Sequence, residues 1–136
     1  MKPLSVMLVD DNPTFLHIAT RYLAASHAAE VALVGTAESA EEALALAPQV
    51  RPDAVVADLA LPGLSGLDLI GRLRQGRADL VLVALTVHDD ESHRHAALQA
   101  GADAFVSKAD LARLLVPALV DAVRSRQPER EAQEPR

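Results

Sequence analysis

The sequence predicts an α/β fold of the flavodoxin-like (βα)5 kind, a doubly wound parallel sheet with the strand order 2-1-3-4-5. Short apolar runs alternate five times with helix-like segments along the 136 residues, and this alternation is typical of a parallel sheet with helices on both faces. Several runs end in polar residues, and the sites of open α/β sheets lie along the edge where the strands end. Right-handed crossovers restrict the topology, and the chosen order brings strands one, three, four and five side by side at that edge.

The strands and helices follow one another in five pairs. The predicted strands cover residues 4–9, 31–34, 54–57, 80–85 and 103–106. The predicted helices cover approximately residues 13–26, 39–48, 65–75, 89–101 and 110–124. The first helix opens at Asn12-Pro13, with Asn as the N-cap and Pro at the first helical position. Ser39 and Glu42 form a capping box for the second helix, which we expect to end near Pro48.

Turn residues and helix breakers mark the later helices. Pro62-Gly63 is a turn signal before the third helix. Asp89 gives the fourth helix an acidic start that suits its dipole, and Gly101 is a good C-cap for it. Pro117 lies inside the last helix, where it removes a backbone donor, so we expect a kink or a late start there.

The chain length fits one domain with a single core, which we assign to residues 1–124. The remaining residues, 125–136, contain one Ala and no larger apolar side chain. A segment of this composition cannot bury enough apolar surface to fold. We therefore predict that residues 125–136 are a disordered charged tail or the start of a linker.

Composition and charge exclude several classes of function. The chain has no Cys, so disulfides, thiolate metal sites and thiol catalysis are excluded. One Tyr, two Phe and no Trp are too few for a face that stacks bases or clamps a flavin. The net charge of -6 argues against nucleic-acid binding by this chain. No apolar run approaches the roughly 20 residues that span a bilayer, so we expect no membrane partner and a cytoplasmic location.

Five polar residues stand at the ends of four predicted strands: Asp10, Asp11, Asp58, Thr86 and Lys108. If those strands are parallel, all five residues gather at one edge of the sheet. Three neighbouring carboxylates repel one another unless a cation intervenes, and their oxygen ligands suit Mg²⁺. The cluster is therefore a candidate magnesium site.

The same edge offers the groups that phosphoryl chemistry requires. The carboxylate of Asp58 can attack a phosphoryl group and form an acyl phosphate, provided that a metal and a cation offset the repulsion between the two anions. Thr86 offers a hydroxyl donor and Lys108 a point charge to the phosphoryl oxygens. Taken singly, these are also ordinary turn, strand-end and loop residues, and it is the ordered set that favours the site.

The ordered set resembles the receiver domain of bacterial two-component response regulators over residues 4–124. The resemblance rests on the acidic pair, on Asp58 followed by Pro62 and Gly66, on Thr86, and on the segment 101–108, Gly-Ala-Asp-Ala-Phe-Val-Ser-Lys. That last segment is similar to receivers of regulators with a LuxR- or NarL-like helix-turn-helix output.

The resemblance implies roles for the acidic residues. Asp58 would be the phosphoacceptor. Asp11 and Asp58 would bind Mg²⁺ directly, with the backbone carbonyl of Ala60 as a third protein ligand. Asp10 would act on the metal mainly through water.

The resemblance also implies how phosphorylation is sensed. Thr86 and Lys108 would bind the phosphoryl group, and Phe105 would be an aromatic switch that turns inward as Thr86 moves toward the phosphate. Phe105 is equally a plausible core residue of strand five, and both interpretations can hold because the inward state is a packed one.

Several positions depart from the family pattern and are expected to tune the site. Val87 stands where receivers usually carry Ala, Gly or Ser, and it is expected to slow phosphorylation by small donors. Ala60 cannot orient an attacking water, whereas His88 could orient one or shield the site, so we expect a long-lived acyl phosphate. Ala109 follows Lys108 where many receivers have Pro, so the loop that carries Lys108 is expected to differ locally.

The function implied by the resemblance is a signalling switch and not an enzyme, since the domain would catalyse only its own phosphorylation. A sensor histidine kinase or a histidine phosphotransfer protein would be its partner, and the surface of helix four, strand five and helix five would change. A homodimer through the Ala- and Leu-rich helices is a further expectation. One alternative is a degenerate receiver that binds proteins independently of phosphorylation, and another is a small flavodoxin-like electron carrier, which the scarcity of aromatics disfavours.

Overall fold

The computed structural model of the chain describes residues 2–127, and its strands form one five-stranded parallel sheet. The strands are β1 (Leu4–Val9), β2 (Val31–Ala37), β3 (Ala54–Asp58), β4 (Val81–Thr86) and β5 (Ala104–Ser107). The helices are α1 (Pro13–Ser26), α2 (Ala40–Val50), α3 (Gly66–Gly76), α4 (Glu91–Ala100) and α5 (Leu111–Arg126), with one 3-10 turn at Lys108–Asp110 before α5. The strand order β2-β1-β3-β4-β5 confirms the predicted fold class and topology.

The sheet lies buried between two layers of helices. Successive strand residues point to opposite faces of the sheet, and apolar side chains occur on both faces. In β1, Leu4, Val6 and Leu8 pack into a core with α1 and α5. Met7 and Val9 pack into a second core with α2, α3 and α4. Both faces of the sheet are therefore covered, which explains the almost continuous apolar runs of the inner strands.

Strand pairing determines which residues meet at the carboxyl edge of the sheet. β1 pairs with β3 so that Val9 lies opposite Ala57. β4 pairs with the other side of β3, where Leu85 lies opposite Asp58. The residues that follow these positions consequently lie beside one another at the same edge.

The predicted end of β2 at residue 34 is wrong, because the strand continues to Ala37. Its register with β1 shifts between Val6 and Met7, and Val34 is the residue left out of the ladder. This is a β-bulge, which adds one residue to a strand without ending the pairing. The apolar run stops near the bulge, although the hydrogen-bonded strand does not.

Two prolines lie inside helices that continue past them. The predicted end of α2 near Pro48 falls two residues short, because the helix continues to Val50. The N–H of Arg51 donates to Ala47 O and closes the last turn, and Arg51 itself adopts left-handed backbone angles (φ 47°). Of the two outcomes expected at Pro117, the late start is wrong, because α5 begins at Leu111, well before Pro117; the kink stays a prediction. Apolar residues on both sides of Pro117 pack against the sheet and hold the helix together.

The last helix extends two residues past the predicted domain boundary at residue 124. Arg126 donates from Nε to Asp103 Oδ1 at 2.6 Å and from Nη1 to Ala78 O at 3.1 Å. These contacts fix the final turn of α5 against loops that precede β4 and β5. The rest of the predicted tail, apart from Gln127, lies outside the described residues.

Candidate functional site

Three carboxylates converge where β1 and β3 end. Asp10 follows β1, Asp58 is the last residue of β3, and Asp11 begins the loop to α1. Each offers one oxygen that lies within 4.8 Å of the oxygens of the other two. Asp10 and Asp58 are only 1% and 4% exposed, whereas Asp11 is exposed. The structure thus brings together the three aspartates that the sequence indicated as metal ligands.

Asp10 has one oxygen with a hydrogen bond and one without. Its Oδ1 accepts the N–H of Asn12 at 2.9 Å. Within the part of the chain that the structure describes, the buried Oδ2 has no partner with hydrogen-bond geometry, and Lys108 Nζ lies 2.6 Å away as an ion pair. Burial raises the pKa of the Asp10 carboxyl, an effect that Lys108 and Asn12 oppose and the charge of Asp58 reinforces. A hard divalent cation fits this site because Asp10 shares the single positive charge of Lys108 with Asp58, and the cation would supply the further positive charge that the two carboxylates lack.

Lys108 closes the cluster from the side of β5. Its Nζ donates to Asp58 Oδ2 at 3.1 Å as well as pairing with Asp10. Burial, the largest single influence, lowers the pKa of this ammonium group, but the close contacts with Asp10 and Asp58 and their negative charges together raise the pKa by more. The lysine is therefore held protonated between two carboxylates. All peptide bonds of the described residues are trans, including the bond from Lys108 to Ala109. Lys108 contacts Asp58 with its backbone in this trans form.

Phe15 belongs to the same neighbourhood, although the sequence did not indicate it. The centroid of its ring lies 4.4 Å from Lys108 Nζ, which is a cation–π distance. Phe15 is the third residue of α1. The only sequence signal was an aromatic residue in the first turn after the acidic pair, and nothing in the sequence linked that residue to Lys108.

Thr86 ends β4 and is 1% exposed. Its Oγ1 accepts the N–H of His88 at 3.0 Å, and the hydroxyl hydrogen can still be donated to another acceptor. Val87 is 66% exposed, and the ring of His88 stacks on His93 with 5.2 Å between centroids. Two of the three predicted tuning residues therefore lie in the loop that leaves Thr86.

The loop after Asp58 folds back against β3. Ala60, which is exposed, donates its N–H to Asp58 Oδ1 at 3.0 Å. The N–H of Gly66 donates to Leu59 O at 3.2 Å. A Cβ at position 66 would lie 2.1 Å from Asp58 O, so only glycine allows α3 to begin this close to the loop after Asp58.

Phe105, the predicted aromatic switch, is buried and packs into the core shared with α2, α3 and α4. Arg94 of α4 covers the ring, with Cζ 5.0 Å from the ring centroid. Arg94 Nη2 also lies 3.9 Å from Asp89 Oδ1. The ring therefore occupies the inward position in this structure, and its switching role stays a prediction.

Three carboxylates, a hydroxyl and an ammonium group lie along the carboxyl edge of a doubly wound sheet. This arrangement places the chain among the flavodoxin-like α/β domains that carry an acidic site. Residues 6–119 match the family model of the response regulator receiver domain. The chain therefore belongs to the response regulator receiver family.

Individual relatives agree with this assignment. The chain is 35% identical over 105 residues to the response regulator GacA from Pseudomonas viridiflava, a match that covers 77% of this chain and 48% of GacA. It is 32% identical over 107 residues to the nitrate/nitrite response regulator NarL from Escherichia coli K12, covering 79% and 49% respectively. The structure of a LuxR-family two-component response regulator from Aurantimonas sp. SI85-9A1 has a TM-score of 0.77 and 27% identity, covering 96% of this chain and 99% of that one.

The chain spans about half the length of the curated relatives that it matches. Among residues 2–127, no helix has the length and apolar character that crossing a membrane requires.

Proposed function

We propose that the chain accepts a phosphoryl group on Asp58 in a Mg²⁺-dependent reaction, and that the new charge alters the surface of α4, β5 and α5. The observation that carries this proposal is the joint position of a buried acceptor carboxylate, two further carboxylates and a protonated lysine at one edge of the sheet. Membership of the receiver family supports the same chemistry.

Asp58 is the proposed nucleophile. A bond forms from one of its carboxylate oxygens to phosphorus as the bond from phosphorus to the leaving group breaks, and the electron pair of that bond departs with the donor. Mg²⁺ would be held by Asp10, Asp11, Asp58 and the backbone carbonyl of Ala60. When bound, it would reduce the repulsion between the acceptor carboxylate and the phosphoryl oxygens. The hydrogen bond from the Ala60 N–H fixes the orientation of the acceptor carboxylate beforehand.

Lys108 and Thr86 are the proposed ligands of the phosphoryl oxygens. Lys108 already touches the acceptor, so a small shift of Nζ would exchange a carboxylate partner for a phosphoryl oxygen. Thr86 can donate its hydroxyl hydrogen from the end of β4. A movement of Thr86 toward the phosphoryl group would alter the packing beside β5, where the Phe105 ring already lies inward.

The donor in this proposal is a sensor histidine kinase or a histidine phosphotransfer protein, and the chain acts in the cytoplasm. The named relatives, which are response regulators, support a place in two-component signalling. A homodimer of the chain stays a prediction. Val87, His88 and Ala60 would set the rate of phosphorylation and the lifetime of the acyl phosphate.

Intact-protein mass spectrometry tests the proposal directly. The chain is incubated with Mg²⁺ and acetyl phosphate or phosphoramidate, and we expect a mass gain of one phosphoryl group. Asp58→Asn should show no gain, whereas Asp121→Asn, which changes an exposed aspartate of α5, should react like the wild type. If the wild type gains no mass even from a sensor kinase, the phosphorylation-independent scaffold becomes the better account.

A further inference from the structure

Lys108 has three neighbours in the site, and they differ in kind. Asp10 and Asp58 are carboxylates at 2.6 Å and 3.1 Å from Nζ. The third is the ring of Phe15, with its centroid at 4.4 Å. Only 18% of the Lys108 side chain is exposed, so the ammonium group is largely withdrawn from water. An aromatic face attracts a cation most strongly in such a poorly hydrated position.

The ring is anchored to the same loop that carries Asp10. Asn12 caps α1 by accepting the N–H of Phe15 at 3.2 Å, and its own N–H donates to Asp10 Oδ1 at 2.9 Å. Phe15 is partly buried and also packs against the core shared by α1 and α5. Phe15 is therefore fixed relative to Asp10 by one short hydrogen-bonded turn.

The three contacts respond differently to phosphorylation. Under the proposed function, Asp58 would become an acyl phosphate and Asp10 would help to hold Mg²⁺, so both ion pairs of Lys108 would be lost or weakened. The contact with Phe15 requires no carboxylate and competes with no phosphoryl oxygen. It is the one described contact of the ammonium group that can persist from the resting site to the phosphorylated one.

We propose that Phe15 is a positioning residue for Lys108: its ring holds the ammonium group at the mouth of the acidic cluster, where the incoming phosphoryl group meets it. This inference rests on the proposed phosphorylation of Asp58. Without the ring, the flexible lysine side chain would have to be ordered anew at each reaction, at a cost in side-chain entropy.

Two substitutions of Phe15 separate the ring face from simple packing. Phe15→Leu keeps an apolar side chain but removes the aromatic face, whereas Phe15→Tyr keeps the face. We expect Phe15→Leu to lower the rate constant of phosphorylation at saturating Mg²⁺ by about two- to thirtyfold, the range that corresponds to a cation–π contact. Phe15→Tyr should restore most of the rate, and thermal unfolding should show that both variants are folded.

A double-mutant cycle with Lys108→Met tests whether the effect passes through the lysine. Phe15→Leu should lower the rate in the wild-type background and leave it unchanged when Lys108 is already Met. An equal loss in both backgrounds, or an equal loss in Phe15→Leu and Phe15→Tyr, would assign Phe15 a packing role and overturn the inference.

A spectroscopic measurement separates failure of this inference from failure of the proposed function. In the protein without phosphodonor, NMR should show the Lys108 side-chain protons shifted upfield by the ring current of Phe15. The shift should vanish in Phe15→Leu and remain in Phe15→Tyr. Absence of the shift in the wild type would overturn the positioning role, whatever the phosphorylation result. A shift in a protein that no donor phosphorylates would refute the proposed function and remove the basis of this inference with it.

Discussion

Gly66 offers a sharp test of how closely α3 is docked onto the loop after Asp58. A Cβ added at this position would lie 2.1 Å from Asp58 O and 2.6 Å from Leu59 Cα, and real Cβ atoms do not approach other atoms within 3.0 Å. Both obstructing atoms belong to the backbone, so no change of rotamer can relieve the overlap. The Gly66→Ala substitution must therefore displace the start of α3 or the loop after Asp58 by nearly an ångström.

The expected cost follows from two opposing terms. Overpacking of a closely packed region costs about 1–3 kcal/mol, and occasionally more. Replacing a helical glycine by alanine returns up to ~1 kcal/mol of helix propensity, but only in part at a first helical position. We expect Gly66→Ala to lose about 1–3 kcal/mol of unfolding free energy, which at about 4 °C per kcal/mol lowers the Tm by roughly 4–12 °C.

Gly76, at the other end of the same helix, supplies the matched control. No atom lies within 4 Å of a Cβ built there, so Gly76→Ala should stabilise the chain by about 0.4–1 kcal/mol through the entropy of the unfolded state. Thermal and denaturant unfolding of the two variants measures both effects. A Gly66→Ala variant as stable as the wild type, or a Gly76→Ala variant as damaged as Gly66→Ala, would refute the close approach of α3 to Asp58.

Three further perturbations act on the site itself. Asp10→Asn should raise the Tm of the metal-free chain at neutral pH. Burial raises the pKa of the Asp10 carboxyl above its value in the unfolded chain, so ionisation of this carboxyl costs stability as the pH rises through the folded pKa. The gain in Tm should disappear in acid, and an equal Tm difference at both pH values would contradict this. Lys108→Met should tighten Mg²⁺ binding on the order of tenfold, since it removes a competing cation from two carboxylates, and weaker binding in a calorimetric titration would argue against the account. Val87→Ala should speed phosphorylation by acetyl phosphate, and an unchanged rate would show that Val87 does not restrict access.

The sequence was sufficient for the fold and for most of the site because both depend on residues at strand ends. Once β1 and β3 are neighbours in parallel, the residues after Val9 and Ala57 meet, whatever the details of the helices. The apolar runs that predict the strands also fix where those residues fall. The grouping of Asp10, Asp11 and Asp58 therefore followed from chain order and sheet topology alone.

The features that the sequence did not predict depend on contacts between distant parts of the chain. The bulge at Val34 extends β2 through pairing with β1, although the apolar run has ended. The last turn of α5 is held by the contact of Arg126 with Asp103. The approach of Phe15 to Lys108 joins α1 to the end of β5, and no local pattern in either segment records it.

The proposed function requires that Asp58, and no other carboxylate, accepts the phosphoryl group. The most direct measurement is to treat the phosphorylated chain with borohydride, which reduces an acyl phosphate to an alcohol, and to locate the modified residue by peptide mass spectrometry. We expect homoserine at position 58 only, in an amount that depends on Mg²⁺ and falls to background when Mg²⁺ is chelated before the donor is added. Modification at Asp10 or Asp11, or an equal yield without Mg²⁺, would contradict it.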